Sequence, residues 1–397
     1  MTLQQAYIVA AKRTPIGKAP RGVLSSLRPD ELLAETVRGT LAGLPDLDPA
    51  VIEDLVAGCA LPEGPQGFNV ARISALLAGL PYTVPGMTVN RFCASGLSAI
   101  AIAADRIRTG QADVILAAGV ESMSQVPVMG VSTTFSPEVF ASQENYGIAY
   151  GMGLTAEEVA REWKVSREDQ DAFALASHQK AIKAWKSGEF ADEILPVTVT
   201  HRQPDLHSLE VAEQVKIISQ DEGPRPDTSL EALAKLRPAF AAKGSVTAGN
   251  SSQTSDGAGA LLVVSERALR DHGLTPLARF VSFSVRGVPP EIMGIGPKEA
   301  VPRALALAGL KQEQLEWIEL NEAFAAQSLA VIRDLGLDPA RVNPLGGAIA
   351  MGHPLGATGA MRAATVIHAL QRHKLRYGML TMCIGTGMGA AGVFERT

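Results

Sequence analysis

Residues 89–96, Val-Asn-Arg-Phe-Cys-Ala-Ser-Gly, are the stretch of this sequence that decides its fold. The stretch leads into a helix of small residues, which is followed by a strand at 114–118 and preceded by a strand at 54–57. A strand, a helix and a second strand in this order are the unit of a mostly parallel sheet that helices cover. The sequence therefore predicts an α/β fold.

A similar plan recurs near the other end of the chain. Residues 341–343, Arg-Val-Asn, lead through a glycine-rich stretch into a second helix of small residues and then into a strand. Residues 5–15 and 278–289 also resemble each other, because each reads as a strand that runs into a loop with Arg and Pro. Two related halves would pack together and bring the loops that carry Cys93 and His353 to one seam.

Short apolar strands alternate with helices over most of the chain, which indicates α/β layers. The predicted strands are 6–11, 54–57, 114–118, 260–264, 278–283, 317–320 and 378–383. The predicted helices are 29–42, 96–109, 297–308, 324–335 and 359–372.

Residues 122–246 interrupt this alternation. Polar and proline-containing segments there flank a charged helical stretch at 155–189, with Thr155 as its predicted capping residue. We interpret 122–246 as an inserted subdomain whose charges suit it to hold a large polar ligand. The predicted domains are residues 1–121 together with 247–268, residues 122–246, and residues 269–397.

The composition argues against several classes of protein. The chain has 397 residues, enough for two or three domains, and its net charge of −5 argues against a general nucleic-acid binder. No apolar run reaches the roughly 18 residues that a membrane span needs, and the first residues lack the plan of a signal peptide. Three cysteines are an odd number and indicate no disulfide framework. Reduced thiols and a cytoplasmic location are expected.

Cys93 is the first residue that could do chemistry, because it precedes a run of small residues that begins a helix. Backbone N–H groups and the positive end of a helix dipole lower the pKa of a thiol in this position. The same N–H groups can receive an oxyanion. The alternative is a buried cysteine that only packs, which is the usual fate of a free cysteine. Cys59 has no comparable setting and fits that alternative.

Two further glycine-rich clusters present His353 and Cys383. Five glycines lie between positions 346 and 359 around His353, which implies close backbone approach. An imidazole can take a proton from a thiol and return it, although a histidine satisfied by backbone in a turn is the alternative. Cys383 enters the glycines of 385–389, whose spacing does not match a dinucleotide fingerprint, so a thiol acting as acid and base is the more economical interpretation. Asn321 could hold a water or a carbonyl, or merely cap a helix.

Several segments in order resemble the motifs of one family, the thiolases, which comprise 3-oxoacyl-CoA thiolases and acetyl-CoA acetyltransferases. The matching segments are residues 90–96, 236–240, 247–252, 321–327, 343–359 and 383–389. The resemblance covers essentially the whole chain. It implies a thiolase-like, five-layer αβαβα fold built from two similar halves, with an inserted loop subdomain that binds coenzyme A (CoA).

The resemblance also implies a role for each reactive residue. Cys93 resembles the nucleophile that becomes acylated, His353 the base that activates it, and Cys383 the acid and base at the substrate α-carbon. Asn321 would hold a water that forms one oxyanion hole with His353. The N–H groups of Cys93 and Gly385 would form the other.

By the same resemblance, CoA and acyl-CoA are bound as substrates, with no tightly bound cofactor and no metal ion. The matching CoA-binding positions are Arg225, Phe240, Ala248, Ser252, Met152 and Phe324. Arg225 could reach a phosphate of CoA, which would explain how an acidic chain holds an anionic ligand. A homodimer or a homotetramer is expected by analogy.

The implied activity is CoA-dependent cleavage of 3-oxoacyl-CoA to acetyl-CoA and a shortened acyl-CoA, as in fatty acid β-oxidation, or the reverse condensation of two acetyl-CoA. Members specific for acetoacetyl-CoA often carry Tyr-His-Met-Gly where residues 150–153 are Tyr-Gly-Met-Gly. The missing imidazole resembles degradative members with a wider acyl pocket, and an acetoacetyl-CoA-specific enzyme is the alternative. A ketoacyl synthase with a Cys-His-His arrangement fits less well because residue 383 is a cysteine. A non-catalytic acyl-CoA or sterol carrier fits less well because both Cys93 and Cys383 are retained.

Overall fold

The computed structural model describes residues 3–205, 207–208 and 210–397, so residues 1 and 2 of the predicted first half, and 206 and 209 of the predicted insertion, lie outside the described residues. The strands are β1 (Ala6–Arg13), β2 (Gly17–Lys18), β3 (Asp54–Gly58), β4 (Gly86–Val89), β5 (Val114–Ser122), β6 (Val197–Asp205), β7 (Glu210–Ile218), β8 (Ser255–Ser265), β9 (Ala278–Gly287), β10 (Trp317–Leu320), β11 (Tyr377–Ile384) and β12 (Met388–Arg396). The helices are α1 (Pro29–Ala42), α2 (Val70–Leu77), α3 (Ser95–Arg108), α4 (Met152–Glu162), α5 (Arg167–Lys186), α6 (Leu230–Ala234), α7 (Glu266–Asp271), α8 (Gly296–Ala308), α9 (Ala325–Leu335), α10 (Ala348–Met351) and α11 (Thr358–Arg372). Within the described ranges, no helix is both long enough and apolar enough to cross a membrane.

The two halves of the chain have the same strand order. Neighbouring strands run β4-β3-β5-β8-β1 in the first half and β10-β11-β12-β9 in the second, where an isolated parallel bridge from Ile318 to Val342 takes the place of β4. The directions match as well, because β3–β5 and β10–β11 are parallel and the next two pairs in each half are antiparallel. The strands β1 and β9 pair with each other and join the halves. The internal repeat predicted from the sequence is therefore present in the fold.

Helices form three layers around these strands. The helices α1 and α2 pack on the first-half strands, and α8 packs on the second-half strands. The helices α3 and α11 contact each other and also contact strands of both halves, so they form the central layer. Leu97, Ile100 and Ile367 of this central pair are completely buried. The arrangement is the five-layer αβαβα fold that the family resemblance implied.

The central helices α3 and α11 touch at two glycines near their first residues. A Cβ on Gly359 would lie 2.1 Å from the backbone nitrogen of Leu97, and a Cβ on Gly96 would lie 2.7 Å from a backbone nitrogen of α11. Any side chain at either position would collide with backbone, so glycine is required for this close approach. Because the loops that carry Cys93 and His353 directly precede these helices, the contact brings the two loops together.

Residues 122–246 differ in detail from the sequence prediction. The helical stretch predicted at 155–189 is two helices, α4 and α5, because Lys164 has a φ of 51° and Ser166 caps the second helix. The prediction that Thr155 caps the first helix was wrong. That helix begins at Met152, and the Thr155 hydroxyl donates a hydrogen bond to the Met152 carbonyl oxygen at 2.7 Å.

A buried arginine ties residues 122–246 to the first half. Arg13, at the end of β1, is 1% exposed and pairs with Glu193 at 2.5 Å and with Asp221 at 2.8 Å. Removing one partner of such a pair leaves a buried charge uncompensated, which is strongly destabilising. Among the described residues, the strands β6 and β7 lie within 122–246, and they form a two-stranded sheet separate from the main sheet. The boundaries of the three predicted domains stay a prediction.

Apart from the stretch at 155–189, which is two helices, the predicted strands and helices are present with ends shifted by a few residues. The largest shift is at β8, which begins at Ser255 instead of 260. The strands β4 and β12 and the β6–β7 hairpin were not predicted. In β12 the first residues are Met-Gly-Ala-Ala-Gly, which lack the β-branched side chains that mark a strand in a sequence.

The glycine contact between the central helices generates a stability prediction. We expect Gly359→Ala to lower the free energy of unfolding by roughly 3 kcal/mol or more, because overpacking against backbone cannot relax by moving a flexible side chain. Gly43→Ala is the matched control, since a Cβ there would lie 3.7 Å from its nearest neighbour, and a compatible Gly→Ala change is neutral or slightly stabilising. Urea unfolding followed by tryptophan fluorescence measures both variants. Equal midpoints for the two variants would contradict the contact.

Candidate active site

Cys93 lies in a tight turn between β4 and α3. Phe92, directly before it, has a φ of 42°, in the left-handed region that residues other than glycine rarely adopt. Asn90 Oδ1 accepts a hydrogen bond from the Phe92 N–H at 2.8 Å, and Ser95 Oγ donates one to the Phe92 carbonyl oxygen at 2.7 Å. These bonds hold the strained turn and present Cys93 at the start of the helix.

Burial dominates the electrostatics of Cys93, although part of its surface faces the cavity described below. Burial raises the pKa of the thiol to about 12, and hydrogen bonds from the backbone N–H groups of Gly385 and Cys93 lower it only in part. The sequence predicted a lowered pKa from the helix start. That prediction was wrong, because desolvation of the thiolate outweighs the N–H groups. The resting residue is a neutral thiol.

The ring of His353 is buried and held from both sides. Its Nδ1 lies 2.7 Å from Thr358 Oγ1, and the Thr358 hydroxyl donates a hydrogen bond to the Pro354 carbonyl oxygen at 3.0 Å. Thr358 must therefore accept from an N–H on Nδ1. The other ring nitrogen, Nε2, lies 3.3 Å from Nδ2 of Asn321, which can only donate. This tautomer leaves the lone pair on Nε2, where a base needs it.

The imidazole of His353 is neutral, like the thiol of Cys93. Burial lowers the pKa of His353 to about 3, and the positive charge of Arg362 lowers it further. The two groups therefore rest as an uncharged pair at neutral pH. A proton can pass from sulfur to nitrogen only when the substrate or its oxyanion compensates the charges that form.

Asn321 starts the loop after β10, beside His353. The Asn321 N–H donates a hydrogen bond to the Thr381 carbonyl oxygen at 2.9 Å. Gln327 Nε2 donates a hydrogen bond to the Asn321 carbonyl oxygen at 3.3 Å. Its Oδ1 is buried and has no hydrogen-bond partner among the described residues. An amide oxygen in this state is suited to hold a water or a polar group of a substrate.

Cys383 lies near the end of β11 and is buried. Burial raises the pKa of its thiol, and the neighbouring Cys93 raises it further. The chain turns shortly after it, where Thr386 has a φ of 67°, and the Gly385 N–H in this turn lowers the pKa of the Cys93 thiol. The fold thus brings the three predicted reactive side chains together from both halves of the chain.

Two carboxylates that position the site were not identified from the sequence. Glu121, at the end of β5, is completely buried, and its Oε2 accepts hydrogen bonds from the N–H groups of Ala60 and Gly356, both at 2.8 Å. It thereby ties a first-half loop to the turn that follows His353. A lone acidic residue at the end of an apolar strand was the only sequence signal.

The second carboxylate is Glu322, directly after Asn321. It accepts hydrogen bonds from Ser177 Oγ at 2.6 Å, from Asn343 Nδ2 at 2.9 Å and from the Ile349 N–H at 3.2 Å. One side chain therefore joins the loop after β10, the helix α5 and the glycine-rich segment that leads to the buried histidine. Thr358, which fixes the histidine tautomer, was likewise missed.

A cavity of about 690 Å³ reaches the reactive side chains. Its wall includes the predicted catalytic residues Cys93, His353, Cys383 and Gly385 and the predicted CoA-binding residues Phe240, Ser252, Met152 and Phe324. The other two predicted CoA-binding residues, Arg225 and Ala248, line a neighbouring cavity of about 140 Å³. Gln253 lines both cavities, so the two adjoin.

Comparison with known proteins identifies relatives of the whole chain. Residues 6–267 match the family model described as thiolase, N-terminal domain, and residues 274–396 match the one described as thiolase, C-terminal domain. The chain is 52% identical over 393 residues to the 3-ketoacyl-CoA thiolase of Bacillus subtilis (strain 168), which covers 99% of this chain and 100% of the relative. It is 45% identical over 410 residues to the 3-oxoadipyl-CoA/3-oxo-5,6-dehydrosuberyl-CoA thiolase of Escherichia coli (strain K12), again over 99% of this chain and 100% of the relative.

Solved structures agree with these matches. The acetyl-CoA acetyltransferase of Bacillus anthracis superposes with a TM-score of 0.90 at 38% identity, over 100% of both chains. Human mitochondrial 3-ketoacyl-CoA thiolase superposes with a TM-score of 0.88 at 37% identity, also over 100% of both chains. With both domains matched and relatives of full length at these identities, the chain belongs to the thiolase family of acyltransferases.

Proposed function

We propose that this thiolase cleaves 3-oxoacyl-CoA with free CoA through an acyl-enzyme on Cys93, which gives acetyl-CoA and an acyl-CoA shortened by two carbons. One observation carries the proposal: Cys93, His353 and Cys383 line one cavity although they come from both halves of the chain. A nucleophilic thiol, a base with its lone pair on Nε2 and a second thiol are the groups that acyl transfer with C–C cleavage requires.

The steps follow from where the protons go. His353 Nε2 takes the Cys93 proton, the thiolate attacks the C3 carbonyl carbon, and the bond between C2 and C3 breaks. The electron pair left on C2 takes the proton of Cys383, which releases acetyl-CoA. Free CoA then gives its thiol proton to the Cys383 thiolate and attacks the acyl group on Cys93. The departing Cys93 sulfur recovers the proton that His353 holds.

Backbone donors and Asn321 would stabilise the oxyanions of these steps. The backbone N–H groups of Cys93 and Gly385 lower the pKa of the Cys93 thiol and so lie near its sulfur, where an acyl oxygen on that sulfur would come within their reach. Asn321 Oδ1 has no partner among the described residues, which supports a water held there that forms the second oxyanion hole with His353. Donors fixed in advance at such positions are commonly the largest single contribution to catalysis.

The two adjoining cavities support the predicted CoA-binding residues. Phe240 and Ser252, with Met152 and Phe324, would contact the pantetheine arm, because they share a cavity with Cys93. Arg225 and Ala248 would meet the nucleotide end in the smaller cavity. Arg225 offers the charge that a phosphate needs.

Gly151 supports a wide acyl pocket. It lines the cavity, and a Cβ built on it would meet no atom within 4 Å. Its φ of −62° suits any residue, so the backbone does not demand glycine there. We therefore favour 3-oxoacyl substrates of six or more carbons over an enzyme restricted to acetoacetyl-CoA.

The other interpretations lose support. The cysteine at 383 and the match to both thiolase domains argue against a decarboxylating ketoacyl synthase. A carrier without activity would not need both thiols beside a base.

The same steps in reverse would condense two acetyl-CoA. A homodimer or homotetramer and a cytoplasmic location stay predictions from the sequence.

The central test is thiolysis. We expect the wild-type protein to consume a 3-oxoacyl-CoA only when free CoA is present, and Cys93→Ala to lose this activity entirely. Iodoacetamide should inactivate the enzyme with the label on Cys93, and acetyl-CoA should protect it. Cys59→Ala is the control and should keep full activity. Activity that survives Cys93→Ala, or equal labelling of Cys59, would refute the acyl-enzyme.

The rate at which iodoacetamide alkylates Cys93 should rise steadily with pH. Because the pKa of Cys93 is raised to about 12, the reactive thiolate fraction grows about tenfold for each pH unit below that value. We expect the alkylation rate to climb from pH 6 to pH 10 without a plateau. A plateau below pH 8 would instead reveal a stable thiolate–imidazolium pair.

Cys383 has a role that can be separated from that of Cys93. We expect Cys383→Ser to retain partial acylation of Cys93, while exchange of the C2 protons of acetyl-CoA with solvent slows by on the order of 10² or more. Exchange is measured by deuterium incorporation, with Cys59→Ala as the control of unchanged rate. Normal exchange in Cys383→Ser would remove its acid–base role.

Acyl length should respond to residue 151. Since Gly151 leaves open space in the cavity wall, wild-type kcat/KM for a six-carbon or longer 3-oxoacyl-CoA should at least match that for acetoacetyl-CoA. Gly151→His should shift the preference toward acetoacetyl-CoA by roughly 10-fold or more, the usual effect of a small change in a hydrophobic pocket. Gly151→Ala is the control for the loss of glycine alone. Strict acetoacetyl-CoA specificity of the wild type would defeat the pocket argument and leave the thiolase assignment intact.

A further inference from the structure

The catalytic cavity divides into two ends. Gln253 belongs to both cavities, so a CoA molecule whose nucleotide meets Arg225 must enter past Gln253 and Ser252. This path uses one side of the large cavity. The lining residues that are left for the acyl chain include the apolar Leu61, Met123, Val128, Met129, Phe135 and Leu355, together with Thr133, Tyr150 and Gly151.

The described part of this wall presents no charged side chain to the acyl chain. None of the described residues that line the cavity is Lys, Arg, Asp or Glu. The one imidazole, His353, is neutral because burial lowers its pKa to about 3. An acyl chain that ends in a carboxylate would therefore enter an apolar environment with no cation to pair with, which is strongly unfavourable.

A carboxylate, Glu63, lies two residues after the lining residue Leu61 and contacts the loop between the lining residues Met129 and Thr133. Glu63 Oε2 accepts hydrogen bonds from the N–H groups of Val131 at 2.5 Å and Ser132 at 3.3 Å. Gly130, with a φ of 78°, lets the loop pass so closely that a Cβ there would lie 2.7 Å from Glu63 Oε1. Glu63 thus holds the loop that carries Val128 and Met129 over the cavity, and it places a negative charge beside that loop.

We propose that this end of the cavity selects 3-oxoacyl chains with an apolar terminus and rejects chains that end in a carboxylate, with Glu63 as a specificity-determining residue at its rim. The inference rests on the proposed function and adds the chemistry of the acyl terminus to it. Glu63 acts twice, because its hydrogen bonds keep the apolar loop in place and its charge repels an acidic terminus. Identity to relatives does not decide this point, since the family includes enzymes named for dicarboxylic substrates.

A matched pair of substrates tests the proposal. 3-Oxohexanoyl-CoA and 3-oxoadipyl-CoA have the same carbon chain and differ in a terminal methyl group against a carboxylate. We expect wild-type kcat/KM for 3-oxoadipyl-CoA to be at least about 100-fold lower. Comparable values for the two substrates would overturn the proposal. Failure to cleave either substrate would instead overturn the proposed function on which it rests.

Two variants test the role of charge at the rim. Glu63→Gln keeps an oxygen for the loop N–H groups and removes the charge, so the ratio of 3-oxoadipyl-CoA to 3-oxohexanoyl-CoA cleavage should rise roughly 2–5-fold. Met129→Arg adds a cation at a half-exposed wall position and should raise the same ratio by about 10-fold or more. Glu313→Gln, at an exposed carboxylate near β10, should leave the ratio unchanged. An unchanged ratio in both rim variants would overturn the role of charge at this position.

Discussion

The structure depends on the contact between the first turns of α3 and α11, where Gly96 and Gly359 allow backbone to touch backbone. Each helix belongs to a different half, and each begins directly after a loop that carries a reactive side chain. A larger residue at either glycine would force the helices apart and separate the Cys93 turn from the His353 turn. The geometry of the site is therefore set by the packing of the two halves, and hydrogen bonds such as those of Glu121 refine it.

Burial sets the protonation states at this seam. It raises the pKa of both thiols and lowers that of the imidazole, which is the expected direction for groups moved away from water. The protein compensates with fixed donors, such as the Gly385 N–H, and with a tautomer that Thr358 imposes on His353. Charge is thus created only transiently, at points where donors already stand.

Local patterns in the sequence predicted most of the fold, because glycines, prolines and apolar periodicity mark where helices and strands begin and end. The helix predicted at 29–42 matches Pro29–Ala42, and the doubled plan around residues 90 and 343 anticipated the repeat of strand order. The strand β12 was missed because its glycines and alanines carry no strand signal. Cys93, His353 and Cys383 could be singled out from their glycine-rich settings and from the resemblance to thiolases. Glu121 and Thr358 could not be singled out, because their partners come close only when the chain has folded. Glu121 accepts a hydrogen bond from the N–H of Gly356, which lies 235 positions away in the chain. The imidazole ring that Thr358 holds is oriented by tertiary packing.

A nucleophile kept as a neutral thiol has a consequence for oxidative damage. Peroxides oxidise thiolates far more readily than thiols, and susceptibility follows thiolate character and access. Because Cys93 becomes a thiolate only while its proton rests on His353, the empty enzyme offers an oxidant very little of the vulnerable form. A covalent inhibitor faces the same barrier, so an electrophile that resembles the substrate and draws the proton to His353 should react much faster than a simple alkylating agent such as iodoacetamide.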